Sequence, residues 1–162
     1  MRDIGALIAG VQALDVQNAL GASSTSNGDT FSGRAIDRTA LNRRFLACKV
    51  LIPFNAAAQA ASSAKTLTMT ISMQDSTSGS TWDSYSTDKS VTQTFSSAAN
   101  TTSTAFRGVG QAGFDLTRAR QFVRVQVVPT LDASSSGTAS AVSLAGLLAM
   151  ALGEGEPATA TS

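Results

Sequence analysis

The sequence predicts an all-β protein, an antiparallel β-sandwich or barrel, and three observations carry that expectation. Runs of alternating apolar and polar residues recur along the chain, Ser/Thr/Gly/Asn-rich links separate them, and the strand–helix–strand rhythm of a parallel sheet is missing. With 162 residues the chain has the length of one domain. We divide it into an N-terminal arm or helix over residues 1–30, a sandwich domain over 31–152, and a flexible, solvated tail, "GEGEPATATS", over 153–162.

The elements follow in chain order. In the N-terminal segment Ile4, Leu7, Ile8, Val11 and Leu14 match a helical face, so a short amphipathic helix competes with an extended arm that reaches a neighbouring subunit. A weak strand signal covers Ala35–Arg38. In "FLACKVLIPF" (Phe45–Phe54) both alternating sets are partly apolar, which suits a strand near the centre of a sheet, and Pro53 is expected to end it or to place it at an edge. "KTLTMTISMQ" (Lys65–Gln74) is the clearest signal. Leu67, Met69, Ile71 and Met73 alternate with Thr66, Thr68, Thr70 and Ser72, giving a half-buried strand with one hydroxylated face. "DSTSGSTW" then makes a turn in which Gly79 is free to take a positive φ. A weaker strand follows over Ser90–Phe95. "FVRVQVV" turns Val123, Val125 and Val127 one way and Arg124 and Gln126 the other, and "TASAVSLAGLLAM" supplies a last strand or, given its alanines, a helix. The links are Gly21–Asp29, Asp75–Thr81, Ser96–Thr104 and Asp132–Ser140.

Composition narrows the function. Charged residues are 14% of the chain against about 25% in an average protein, and Ser, Thr, Ala and Gly take their place. Such a surface is polar, uncharged and built from side chains that lose little entropy when covered, which suits a protein living among other proteins. The net charge of +1 provides no field to attract nucleic acid or an anionic membrane. The apolar part of the N-terminus is too short for a membrane span, and no signal-peptide cleavage site follows it, so a chain made in the cytoplasm is expected. Histidine is absent, which removes the commonest general base and metal ligand. The single cysteine, Cys48, lies in an apolar run and reads as a buried strand residue.

Gly108, Gly110 and Gly113 in "FRGVGQAGFDL" spell G-x-G-x-x-G, the spacing of a dinucleotide loop. That loop works only where a strand delivers the glycines to a helix N-terminus, and here the sequence turns into another strand instead. We read a glycine-loosened loop leading to a short turn, with Asp115 capping Leu116–Arg120. Asp75, Asp83 and Asp88 lie in or beside one loop but are too few and too widely spaced for a calcium site. No G-x-S-x-G elbow occurs. The expectation is no enzyme, with no catalytic residue, cofactor or metal. Trp82 and Tyr85 read as packing residues in preference to a ligand platform. Arg43 and Arg44 form one basic pair and Arg118, Arg120 and Arg124 a second group. Arg43, Arg44, Arg118 and Arg120 are the candidates for contact with acidic patches on a partner protein, the alternative being solvated charge that balances nearby Asp.

"TLTMTISMQDSTSGSTWDSY", followed by "FDLTRARQFVRVQVV" and "AVSLAGLLA", resembles a group of small structural proteins of tailed bacteriophages. In that group a strand ending in Gln-Asp-Ser precedes S-x-W, a later F-D-L with arginines leads into F-V-R-V, and an apolar strand closes the domain. "GRAIDRT", with Ile36 and Asp37, resembles their first strand, and the match runs from Gly33 to Leu152. The resemblance implies a jelly-roll-like β-sandwich that decorates, or cements, the outer capsid surface by binding the major capsid protein, often as a homotrimer. It places the protein in the virion, assembled in the host bacterial cytoplasm, with no contact to nucleic acid or membrane. Two rival expectations are another tail, neck or fibre-base protein and a carbohydrate-binding β-sandwich module.

Overall fold

The computed structural model describes residues 8–20, 30–39, 44–58, 66–85, 90–96, 104–131 and 141–152. They form ten strands: β1 (Ile8–Leu20), β2 (Phe31–Ser32), β3 (Ile36–Asp37), β4 (Phe45–Ala58), β5 (Thr66–Ser76), β6 (Asp83–Ser84), β7 (Val91–Ser96), β8 (Thr104–Asp115), β9 (Phe122–Leu131) and β10 (Ala141–Leu152). One sheet has the order β1–β10–β4–β8. The other has the order β2–β9–β5–β6, with β3 also on β9 and β7 also on β5. Every pairing is antiparallel. β2 and β3 are two short pieces along one edge of β9, and β6 and β7 two pieces along the far edge of β5. Counted as one interrupted strand each, they complete two sheets in which the first strand lies beside the last and the chain crosses repeatedly between layers. That is a jelly-roll β-sandwich.

The period-two pattern of β5 is what builds the middle of the second sheet. Leu67, Met69, Ile71 and Met73 are buried, and across the ladder stand the equally buried Val123, Val125 and Val127 of β9. From the first sheet Val50, Ile52 and Phe54 of β4 and Ala112 and Phe114 of β8 close the core. Each large apolar side chain so buried stabilises the fold by about 1.5–3 kcal/mol, before the entropy of ordering it is counted. The opposite face of β5 carries its hydroxyls outward, and the Oγ1 atoms of Thr70 and Thr92 on β7 lie 3.2 Å apart. Gly79 takes φ 75° in the turn after β5, where its N–H donates to Ser76 Oγ at 2.9 Å.

Three local expectations resolve differently. The N-terminal segment is extended over Ile8–Leu20, neither a helix nor a separate arm, because it pairs along its length with β10. Its helix-like spacing has another origin. The register slips between Gln12 and Leu14, so the consecutive residues Ala13 and Leu14 are both buried. A bulged strand thereby reproduces the three-residue step of a helix. Residues 1–7 and 21–29 lie outside the described residues, as do the links 97–103 and 132–140 and the tail 153–162. The last apolar run is also a strand, β10, seated between β1 and β4.

Pro53 neither ends β4 nor sits on an edge strand. β4 continues to Ala58 between β10 and β8. Leu116 donates its N–H to Leu46 O at 2.7 Å, so the even-numbered residues of β4 bond to β8 and the odd-numbered ones face β10. The N–H that proline lacks therefore falls on the β10 side, where the ladder passes from Leu51–Leu147 to Phe54–Leu144 without pairing Pro53. The glycines of "FRGVGQAG" are strand residues too, in place of the expected loop. Gly108 and Gly110 alternate on the inner face of β8, where an added Cβ would come within 2.8 Å of the Phe54 ring and 2.6 Å of Met69 Sδ. Glycine stands there because Phe54, its ring centroid 4.5 Å from that of Phe95 in a tilted pair, and Met69 already fill the space.

Gly33 joins the two sheets along one open side. Its N–H donates to Val125 O of β9 at 2.7 Å, and the next residue, Arg34, donates its N–H to Ala13 O of β1 at 2.9 Å. Arg34 and Asp15 add an exposed ion pair at 2.8 Å. A Cβ at position 33 would lie 2.1 Å from Ala13 O, a backbone atom with no rotamer to escape into. Gly33→Ala is therefore expected to lower unfolding stability by roughly 2 kcal/mol, as is typical of overpacking. Gly10→Ala, where a Cβ meets nothing within 4 Å, should be nearly neutral. Urea denaturation of the two variants checks the contrast.

Candidate protein-interaction site

Among the described residues, side chains and backbone from several segments converge by hydrogen bonds on the turn between β8 and β9, Leu116–Gln121. Asp115 opens it as the expected cap: its Oδ1 accepts from Thr117 N at 2.9 Å and from Thr117 Oγ1 at 2.7 Å. Beneath the turn lies Arg38, only 2% exposed. Its guanidinium donates to four backbone carbonyls: Nε to Arg120 O at 2.7 Å, Nη1 to Leu116 O at 2.7 Å and to Phe45 O at 3.1 Å, and Nη2 to Ala119 O. The Arg38 backbone adds two more bonds, to Gln121 O and from Phe45 N, both 3.0 Å. A planar fork with five donors suits this role, because one side chain reaches carbonyls pointing in from several segments.

A buried carboxylate completes the clasp from the other side. Asp75, at the end of β5, accepts from Arg120 N at 2.9 Å, and its Oδ1 lies 3.8 Å from Arg120 Nε. Arg120 also reaches Asp83 Oδ2 at 2.5 Å, so one arginine bridges the two aspartates that face each other in the β5–β6 ladder. The Asp83 hydrogen bond comes first in raising the Arg120 pKa above its ordinary value, with the charge of Asp75 next. Tyr85 donates its hydroxyl to Asp115 O at 2.8 Å. Burial first, and then the charge of Asp115, push the Tyr85 phenol above its ordinary pKa. Trp82 packs under Arg124, whose guanidinium carbon is 4.4 Å from the ring centroid, and Arg124 Nε donates to Gln74 Oε1 at 2.7 Å.

The structure thus brings three of the four candidate arginines to one place. Arg120 is committed to Asp75 and Asp83. Arg44 donates through Nη2 to Thr117 O at 3.2 Å, which holds it beside the turn. Arg118 is exposed at the tip. Arg43 and Asp88 lie outside the described residues. Neither Arg44 nor Arg118 forms an ion pair among the described residues. Sequence reasoning missed the two groups that matter most here, Arg38 and the buried role of Asp75. The one available signal was their place inside "GRAIDRT" and "QDS", short motifs without an apolar period to explain them.

Among the described residues no three Asp, Glu or Cys side chains gather where they could hold a metal ion. Burial pushes the Cys48 thiol up to about 12, which keeps it protonated and unreactive at neutral pH. What the site can do is present a rigid turn to another surface. The ordering entropy of Leu116–Gln121 is already met within the chain, so little is left to lose on binding.

These features define a jelly-roll sandwich carrying a pre-built surface turn. No family model matches the sequence, and no curated protein matches it. Among solved structures, a chain of infectious bursal disease virus Gx strain is 13% identical with a TM-score of 0.45, the match covering 93% of this chain and 34% of that one. This chain therefore spans about a third of that viral chain's length. The tobacco streak virus coat protein is 18% identical with a TM-score of 0.30, over 96% of this chain and 90% of that one. The CBM22-1 xylan-binding domain of Paenibacillus barcinonensis Xyn10C is 8% identical with a TM-score of 0.29, over 90% and 86%. At these scores and identities the likenesses carry no argument about what this chain does.

Two outcomes are expected from the site. Arg38→Met leaves several buried carbonyls without a donor and should cost about 3 kcal/mol in denaturant unfolding. Arg38→Lys should recover little of that loss, because a compact ammonium cannot span the same acceptors. The second concerns acid. Burial of Asp37 works against its ionisation, but hydrogen bonds from the Thr39 hydroxyl and amide and from Gln121 outweigh it and hold the carboxyl below its ordinary pKa. A depressed folded-state value means the stabilisation is complete above the unfolded carboxyl pKa of about 3.9 and is lost as pH falls through the folded one. Melting temperatures of Asp37→Asn measured from pH 6 downward should therefore fall less steeply than wild type on the acid side.

Proposed function

We propose that this chain is a structural virion protein that decorates and stabilises the outer surface of a tailed-phage capsid by binding the major capsid protein. The observation that carries the reading is where the resembling segments meet. Gln74-Asp75-Ser76 and Trp82 lie in one segment and the Phe114–Val125 stretch more than thirty residues further on, yet the two converge through Asp75–Arg120, Gln74–Arg124 and Trp82–Arg124. Arg38, Asp75 and Asp115, all inside the resembling segments, hold the turn, and Gln74 and Trp82 hold Arg124 beside it. A capsid under internal pressure is stabilised by mass action when many copies clasp neighbouring coat subunits. Neutral sandwich faces and a rigid arginine-bearing turn supply the contacts, and no reactive group is called for.

The carbohydrate-binding alternative is disfavoured by the same geometry. One face of Trp82 is covered by Arg124 and the Tyr85 hydroxyl proton is spent on the Asp115 carbonyl, which leaves less of either for a sugar. Copy number separates decoration from a tail or neck role. Quantitative mass spectrometry of purified particles should give this chain in a simple ratio to the major coat protein. A handful of copies per particle would move it to the tail or neck, and absence from particles would sink the proposal. Arg118→Glu is expected to lower binding to bare capsids by roughly tenfold through like-charge contact with an acidic patch, while leaving the melting temperature unchanged.

A further inference from the structure

β8 is an outer strand of its sheet, and among the described residues it pairs on one side only, with β4. Three hydrogen bonds establish which of its backbone groups face away. Leu116 N–H points inward to Leu46 O, whereas Gln111 N–H donates to Gln93 Oε1 at 2.7 Å and Asp115 O accepts from the Tyr85 hydroxyl at 2.8 Å. Antiparallel alternation then turns the N–H and C=O of Arg107, Val109, Gln111, Gly113 and Asp115 to the open side. All five residues are exposed. Val109, at 47%, is the one large apolar side chain among the described residues that is exposed.

An open strand of this length is a template for pairing, and its charges point to a second copy of the same strand. In a two-fold antiparallel pairing centred on Gln111, that residue faces itself, Val109 faces Gly113 of the second copy, and Arg107 faces Asp115 of the second copy. Centring on Val109 or Gly110 leaves Arg107 opposite Gln111 or Gly113, and centring on Ala112 sets it against Thr117. Only the Gln111 register pairs the opposite charges, and it does so twice by symmetry. It also gives Val109 an open neighbour, since an added Cβ at Gly113 would meet nothing closer than Cys48 O at 4.0 Å.

We infer that the open edge of β8 is a self-association site, joining two copies of this chain into one continuous sheet. In the single chain Gln93 holds the Gln111 N–H. In the pair the Gln111 carbonyl of the second copy takes its place. The Asp115 carbonyl has a second lone pair, so it accepts the incoming Arg107 N–H while Tyr85 stays. This association does not depend on capsid binding, and a two-fold pair differs from the trimer that the phage resemblance implies.

The test is sedimentation velocity on the full chain across micromolar concentrations, with two variants. Wild type should sediment as a dimer. Val109→Pro removes only an outward N–H and leaves the β4 ladder whole, so it should be monomeric with unchanged melting. Gln111→Cys should form an intermolecular disulfide under mild oxidation, because residues in a hydrogen-bonded antiparallel pair stand about 5.5 Å apart at Cα, within disulfide range. Arg107→Cys, which faces Asp115, should not, and the buried Cys48 does not compete. A monomeric or trimeric wild type, a dimer that survives Val109→Pro, or equal cross-linking at 107 and 111 would overturn the proposal. Should Val109→Pro fail to fold, the cross-linking pair decides alone.

Discussion

The hydrogen bonds of the Arg38 guanidinium are the interaction on which the rest of this structure depends. A charged group is costly to bury unless its donors are met, and here four carbonyls from two separate segments, the start of β4 and the β8–β9 turn, meet them. The consequence runs outward. Because Phe45, Leu116, Ala119 and Arg120 share one donor, the start of β4, the end of β8 and the entry to β9 are held at fixed positions. Asp75 then finds the Arg120 amide in place, and Arg120 finds Asp83. Among the described residues no buried side-chain nitrogen or oxygen lacks a partner, so the polar network is fully connected. A network satisfied in this way specifies one arrangement, where a half-satisfied one would favour several.

The sandwich has to manage its open sides as well as its core. On one side the backbone crosses between sheets at Gly33, with bonds to β9 and β1 on successive residues. On the other the Gln93 amide reaches across from β7 to the β8 backbone. The two closures differ in strength. A backbone crossing at a position where only glycine fits is permanent, whereas a side-chain amide is exchangeable. Permanence on the β1 side and exchangeability on the β8 side make β8 the strand that can accept company. The function proposed for the turn lies at the end of the same strand, so the two surfaces meet at Asp115.

Much of the fold was legible because it rests on short-range rules. Strict alternation in β5 and β9 reports which face is buried, and Asp115 and Gly79 act within two or three residues of themselves. Where the reading went astray, the missing fact lay on another strand. Pro53 is harmless inside a sheet because its absent N–H faces a gap in the β10 ladder. The glycines of β8 look like a loop until Phe54 and Met69 are placed against them. The spacing from Val11 to Leu14 looks helical until the bulge between Gln12 and Leu14 is known. For the candidate site, the arginines could be named but not sorted. Which of them is buried, which is spent on aspartates and which is left at the tip depends on contacts between residues as far apart as Arg38 and Arg120.

The sequence by itself determined an all-β chain, the residues facing the core in its central strands, the turn chemistry, and a surface poor in charge and in catalytic groups. These follow from periodicity and composition, which are properties of neighbouring residues. Only the tertiary structure decided the strand order, the extended state of the N-terminal segment, the burial of Arg38 and Asp75, and which side of β8 is unpaired among the described residues. In a jelly roll most partners are distant in sequence, the first strand lying beside the last, so the identity of each neighbour is settled by how the two sheets close and not by any local signal.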